Sequence, residues 1–166
     1  MEILSKLIKE SSKRLQVENL CGLKLNDYQI EVLMNDCNEK IIEYKKQPRR
    51  YGKTTAMLLK VIKDILIDNK NENVMILSDS NLMSIAAKSM FDSLLKQADL
   101  DQLLQKSNRY ECITKNNVVI KFSTKNLHNL LGVNGFNFYI DDYNANRDVE
   151  LLNACGYSFP QKIYLF

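Results

Sequence analysis

Gln47-Pro48-Arg49-Arg50-Tyr51-Gly52-Lys53-Thr54-Thr55 carries the residue types needed to grip phosphate. A glycine lets the backbone turn tightly, so that successive N–H groups and the start of the next helix converge on anionic oxygens. Lys53 supplies a point charge suited to β- and γ-phosphates, and the Thr54 hydroxyl suits Mg²⁺. The usual pattern, G-x-x-x-x-G-K-[ST], puts glycine where this chain has Gln47 and does not ask for two arginines after Pro48. A bare Gly-Lys-Thr recurs by chance, so the rest of the chain must supply the context.

Phosphate chemistry of this kind also needs an apolar strand ending in acid. Phe138-Tyr139-Ile140-Asp141-Asp142 supplies one about 88 residues after Lys53. Asp141 is placed to hold Mg²⁺ through water, and Asp142 to orient or deprotonate an attacking water. Taken alone, the pair reads as two surface acids in a turn; the loop upstream favours the metal and catalytic roles. Leu25-Asn26-Asp27-Tyr28-Gln29 ends about 24 positions before Lys53. Gln29 can meet adenine by its amide edge and Tyr28 by packing. Without the other motifs Gln29 would be an exposed helix residue.

These residues need elements to hold them. Ile3, Leu4, Leu7, Ile8 and Leu15 predict an amphipathic helix over 1–16, a lid or prefix. Asn26 or Asp27 can cap a helix with Ile30, Leu33, Met34 and Cys37 on one face. Ile41 to Lys46 reads as the strand feeding the loop, and Thr55 to about Asn69 as the helix leaving it. Val74-Met75-Ile76-Leu77 fits a strand buried on both faces, followed by a helix capped by Ser80 or Asn81 that runs to about Lys96. Asp99 to Lys106 reads as a short extra helix. Tyr110 to Thr114 and Val118 to Phe122 form a hairpin across Lys115-Asn116-Asn117, because Asn tolerates positive φ. Phe138 to Asp141 is a buried strand, Arg147 to Ala154 a helix and Lys162 to Phe166 a last strand. The alternation predicts an α/β fold with a mainly parallel sheet, whose ligands sit at the carboxyl ends of the strands. Lys53 and Asp141-Asp142 both fall there.

Bulk properties fit this frame. The 166 residues suit one domain, and 45% hydrophobic with 26% charged residues is ordinary for a globular chain. No apolar run approaches the roughly 18 residues of a membrane span, and the N-terminus has no signal-peptide core, so neither membrane insertion nor secretion is expected. Cys21, Cys37, Cys112 and Cys155 with the single His128 make no zinc pattern and read as reduced thiols. A net charge of +3 leaves nucleic-acid binding open.

Together these motifs resemble the ATPase domain of the large terminase subunit, the DNA-packaging motor of tailed bacteriophages and herpesviruses. Leu25 to Gln29 is similar to its adenine motif and Pro48 to Thr55 to its R-x-x-G-K-T variant loop. Leu131-Gly132-Val133-Asn134-Gly135-Phe136-Asn137 resembles the segment entering the acidic strand, and Phe138 to Asp142 the strand itself. The resemblance spans residues 25–166, with 1–24 as a helical prefix, and implies a RecA-like P-loop fold of the ASCE type. It implies ATP and Mg²⁺ as cofactors. Lys53 and Thr54 would bind phosphates and metal, Asp141 would support the metal, Asp142 would be the catalytic carboxylate, and Arg49 would act on the γ-phosphate in cis. Tyr28, Gln29, Arg50, Tyr51, Gly52 and Thr55 complete the nucleotide-contacting set, Arg50 without a further assigned role.

Two departures matter. The family has Glu where this chain has Asp142, one methylene shorter, which implies weak or partner-dependent hydrolysis. The family also continues into a coupling motif and a nuclease domain, whereas this chain stops at Phe166. The implied partners are double-stranded DNA and either a homo-oligomeric ring or separate nuclease and portal-type subunits, with no membrane. The implied location is the host cytoplasm for a bacteriophage protein, or the host nucleus for one from a eukaryotic DNA virus. Two other readings stay open: a helicase-like translocating lobe, which usually keeps the glycine that Gln47 replaces, and a non-hydrolysing nucleotide-binding interaction module.

Overall fold

The computed structural model describes residues 18–19, 22–48, 50–130, 133–157 and 162–166. The helix expected over 1–16, Arg49 and Leu131-Gly132 lie outside the described residues. Seven strands make one sheet: β1 (Ile41–Glu43), β2 (Asn73–Ser78), β3 (Leu104–Ser107), β4 (Glu111–Thr114), β5 (Val119–Thr124), β6 (Phe136–Ile140) and β7 (Ile163–Leu165). Their order is β1-β7-β6-β2-β5-β4-β3. The first five in that order are mutually parallel, and β4 and β3 continue antiparallel. The fold is therefore α/β with a mainly parallel sheet flanked by helices.

Burial follows from the apolar runs. β2 sits at the centre of the sheet, and its residues from Val74 to Ser78 are all buried. Because side chains alternate across a strand, Val74 and Ile76 join one core and Met75 and Leu77 the other. The first core packs helices α1 (Asp27–Met34), α2 (Lys53–Val61) and α3 (Asn81–Gln97) through Val32, Leu33, Met57, Leu58, Phe91 and Leu95. The second packs α4 (Val149–Tyr157) through Leu151 and Cys155 against Phe138, Ile140, Ile163 and Leu165.

The structure departs from the sequence reading at several places, Cys37 for one lying beyond α1, which ends at Met34. The helix after the loop is α-helical only to Val61 and then widens into a π-helix over Ile62–Ile67, with Asp68 N–H donating to the Lys63 carbonyl at 2.7 Å. Charges turn inward along this helix: Lys60, on its α-helical part, and Lys63 are each 1% exposed and Asp64 2%. They survive burial because they are paired, with Lys60 Nζ 3.4 Å from Asp64, Lys63 Nζ 2.7 Å from Asp68 and Lys70 Nζ 2.9 Å from Asp64. The strand expected to reach Lys46 ends at Glu43. The helix expected over Asp99 to Lys106 is one 3-10 turn, Asp101–Leu103, followed by strand β3. Its residues have no strand pattern of their own; the free edge of β4 recruits them by backbone pairing.

Candidate functional site

The loop after β1 is held by two backbone turns of opposite hand to a helix. Arg50 has φ 66° and Gly52 φ 83°, the latter as the N-cap of α2. Gly52 has no side chain to cap the helix, so the first-turn N–H groups of α2 face the loop, where an anion is favoured. A Cβ at Gly52 would lie 2.6 Å from Gln29 Nε2, so glycine is required there for space as well as for φ.

α1 braces this loop from beneath. Asn26 caps α1 by accepting from Gln29 N–H at 2.9 Å, while Gln29 Oε1 accepts from Asn26 N–H at 3.0 Å, a reciprocal capping box. The same two side chains reach the loop: Asn26 Nδ2 donates to the Tyr51 carbonyl at 3.1 Å and Gln29 Nε2 to the Gly52 carbonyl at 3.4 Å. Tyr28 is buried with its ring edge-on to the exposed Tyr51, centroids 6.2 Å apart. Among the described residues its hydroxyl finds no hydrogen-bond partner, and burial together with the Asp141 and Glu31 charges pushes its pKa up to about 12.

β7 stands between β1 and β6, so the loop and the acidic strand end lie about two strand spacings, roughly 10 Å, apart. Side chains close the gap. Thr54 Oγ1 donates to Asp141 Oδ2 at 3.0 Å, and Lys53 Nζ pairs with Asp142 Oδ1 at 2.8 Å. Asp141 is 8% exposed, and burial raises its pKa against the opposing pull of the Thr54 hydrogen bond and of Lys125 and Lys53. Asp142 is different: the Lys53 hydrogen bond holds its carboxyl below the usual range. Two neighbouring carboxylates thus have contrasting environments, one dry and one salt-bridged.

The structure brings Lys53, Thr54, Asp141 and Asp142 together. Thr55 turns the other way, its Oγ1 3.8 Å from Met90 Sδ on α3. Among the described residues no group of three or more His, Cys, Asp or Glu could hold a metal. Thr54 and Asp141 are hard oxygen donors in mutual contact, which fits Mg²⁺, an ion that takes one or two protein oxygens and completes its shell with phosphate and water.

Sequence reasoning missed four residues around Asp142: Asp79, Lys125, Arg147 and Asp148. Asp79 and Lys125 directly follow β2 and β5, as Asp141 follows β6. A charge at the carboxyl end of a strand is the signal that could have found them. With Leu127, Glu150 and Leu151 they line a cavity of about 330 Å³ beside the site.

No protein-family model and no curated protein matches the chain. Solved structures do: the large terminase ATPase domain of Thermus phage P74-26, and an arginine-to-alanine mutant of that domain, each superpose with a TM-score of 0.63. Each match has 10% sequence identity and covers 89% of this chain and 67% of the other. At that identity the likeness is one of fold: this chain shares the α/β architecture of a terminase ATPase domain.

Proposed function

We propose that the chain is an ATP-binding and ATP-hydrolysing domain of the kind that drives terminase DNA packaging. The observation that carries the reading is the convergence of Lys53 and Thr54 with Asp141 and Asp142 across the intervening strand β7. Bound ATP and Mg²⁺ would supply the scissile phosphoanhydride and the electrophilic neutralisation of its charge. The chain's own groups do the rest. The Gly52 turn and first-turn N–H groups of α2 hold phosphate oxygens, and Lys53 exchanges its Asp142 partner for phosphate. Asp142, released by that exchange, accepts hydrogen bonds from the attacking water and takes its proton at a carboxylate oxygen. Thr54 and Asp141 would hold the metal. Gln29 and Tyr28 are proposed to meet adenine, Gln29 also serving as the brace under Gly52. Arg49 is proposed to act on the γ-phosphate, with double-stranded DNA and a ring of like subunits as partners.

One observation favours a second reading, a nucleotide-binding module that does not hydrolyse. Asp142 is a shorter carboxylate than glutamate, and while it is paired with Lys53 that hydrogen bond holds its carboxyl below the usual range, which weakens it as a base.

The test is steady-state phosphate release with Mg²⁺ and ATP, at high protein concentration, with and without double-stranded DNA. Lys53→Ala and Asp142→Asn should each lower turnover by about 100-fold or more. Their side chains are 18% and 58% exposed, so neither charge is part of the buried core and both variants should fold. Unchanged turnover in either refutes hydrolysis at this site. Tight ATP binding with no phosphate release under any of these conditions selects the second reading.

A further inference from the structure

Asp142 has φ 50°, in the left-handed region. Its carbonyl accepts from a cation pair, Lys125 Nζ at 3.1 Å and Arg147 Nη2 at 2.9 Å, and the N–H of the same peptide, on Tyr143, donates to the Phe166 carbonyl at 2.7 Å. Hydrogen bonds from charged donors are the strong ones, and a carbonyl pinned from two sides fixes the peptide that follows Asp142.

Both cations are themselves fixed. Lys125 Nζ lies 2.7 Å from Asp79 Oδ1 and 3.1 Å from Asp148 Oδ2, and the Lys125 and Asp148 side chains are each only 6% exposed. Arg147 spreads its guanidinium over the same two acids, Nη2 to Asp79 at 3.0 Å and Nε to Asp148 at 3.0 Å. Asp148 is in turn oriented by the Asn144 N–H at 2.9 Å. Ends of β2 and β5, the turn after β6 and the start of α4 therefore meet at one backbone oxygen.

Resting on the hydrolytic reading of the site, we infer that Lys125 and Arg147 are positioning residues: by clamping the Asp142 carbonyl they hold the backbone turn that aims the Asp142 carboxylate at Lys53 and the phosphate loop. They touch no reacting atom. Arg147 is the better probe because it is half exposed, so its loss leaves the core packing in place.

Arg147→Met should lower kcat by about 10- to 100-fold, as misplacement of a catalytic group does, while the dissociation constant for a non-hydrolysable ATP analogue stays within about twofold. Arg147→Lys keeps a donor within reach of the carbonyl and should recover most of the lost kcat. A crystal structure of Arg147→Met should have Asp142 out of the left-handed region and its contact with Lys53 broken. Wild-type kcat in Arg147→Met overturns the inference, and so does an equal loss of analogue binding. If the wild-type chain itself releases no phosphate, the hydrolytic reading fails on that result. The crystal structure then decides the positioning role alone: Asp142 unmoved and still paired with Lys53 refutes it, and a displaced turn supports it.

Discussion

Replacing Gly52 with alanine separates two physical demands placed on one residue. The first is conformational: at φ 83° an L-residue is disfavoured by roughly 1–2 kcal/mol, of which about 0.4–1 kcal/mol is returned by the stiffer unfolded chain. The second is spatial, because the new Cβ would sit 2.6 Å from Gln29 Nε2 and 3.4 Å from Gln29 Cδ. Gln29 must then swing away and give up its contact with the Gly52 carbonyl and its half of the α1 capping box. Losing that half of the capping box costs about 1 kcal/mol, so the total is about 1–2.6 kcal/mol. For a chain of this size that lowers the melting temperature by roughly 2–10 °C. Chemical denaturation of Gly52→Ala, Gln29→Ala and the double variant measures the two parts. In the Gln29→Ala background the collision is gone and only the conformational part remains, so the coupling should be about 1 kcal/mol in favour of the double variant. Additive losses would refute the brace from α1, and a Gly52→Ala protein as stable as wild type would refute the left-handed turn as well.

Asp64→Asn should be among the most destabilising single changes, at about 3–5 kcal/mol by denaturant unfolding, because it strips the buried Lys60 of its counter-charge. Burial already pushes the Lys60 ammonium below the usual lysine range despite Asp64. The unfolded chain therefore binds more protons than the folded one between the two values, and the variant should regain stability as pH is raised toward about 10. Asp148 gives the opposite sign. Burial alone would raise its pKa, but hydrogen bonds from Arg147, Asn144 N–H and Lys125 hold it below the usual carboxylate range. Its stabilisation is complete above about pH 4 and is lost as pH falls through the lower folded value. Denaturation of Asp148→Asn between pH 5 and 2 should follow a flatter course than wild type, and parallel curves would exclude this linkage.

Much of the fold was legible because local chemistry and pattern agreed. Ser80 caps its helix, Asn26 caps α1, and Asn117 takes φ 63° in the hairpin turn, each as its residue type suggests. β2 and β6 were visible as apolar runs that only a doubly covered strand can bury. β3 was not, since Leu104–Ser107 is mostly exposed and exists by pairing with an edge. Gln29 was read for its nucleotide chemistry, whereas Asn26-x-x-Gln29 also spells a capping box. No helix among the described residues is long and apolar enough to cross a membrane.

By itself the sequence determined which side chains could handle phosphate and metal, because glycine, lysine, threonine and paired aspartates have that capacity wherever they stand. It also marked Asp141 as the residue at the end of a strand, since the apolar run stops there, whereas the strand before the Lys53 loop ends at Glu43, short of the expected Lys46. Only the tertiary structure decided the strand order, and with β7 between β1 and β6 that order sets the distance Lys53 must span to reach Asp142. The clamp at the Asp142 carbonyl is likewise tertiary. Asp79, Lys125 and the adjacent pair Arg147-Asp148 come from three separate segments, and no spacing along a chain encodes which strand ends will be neighbours once the sheet has closed its pairs.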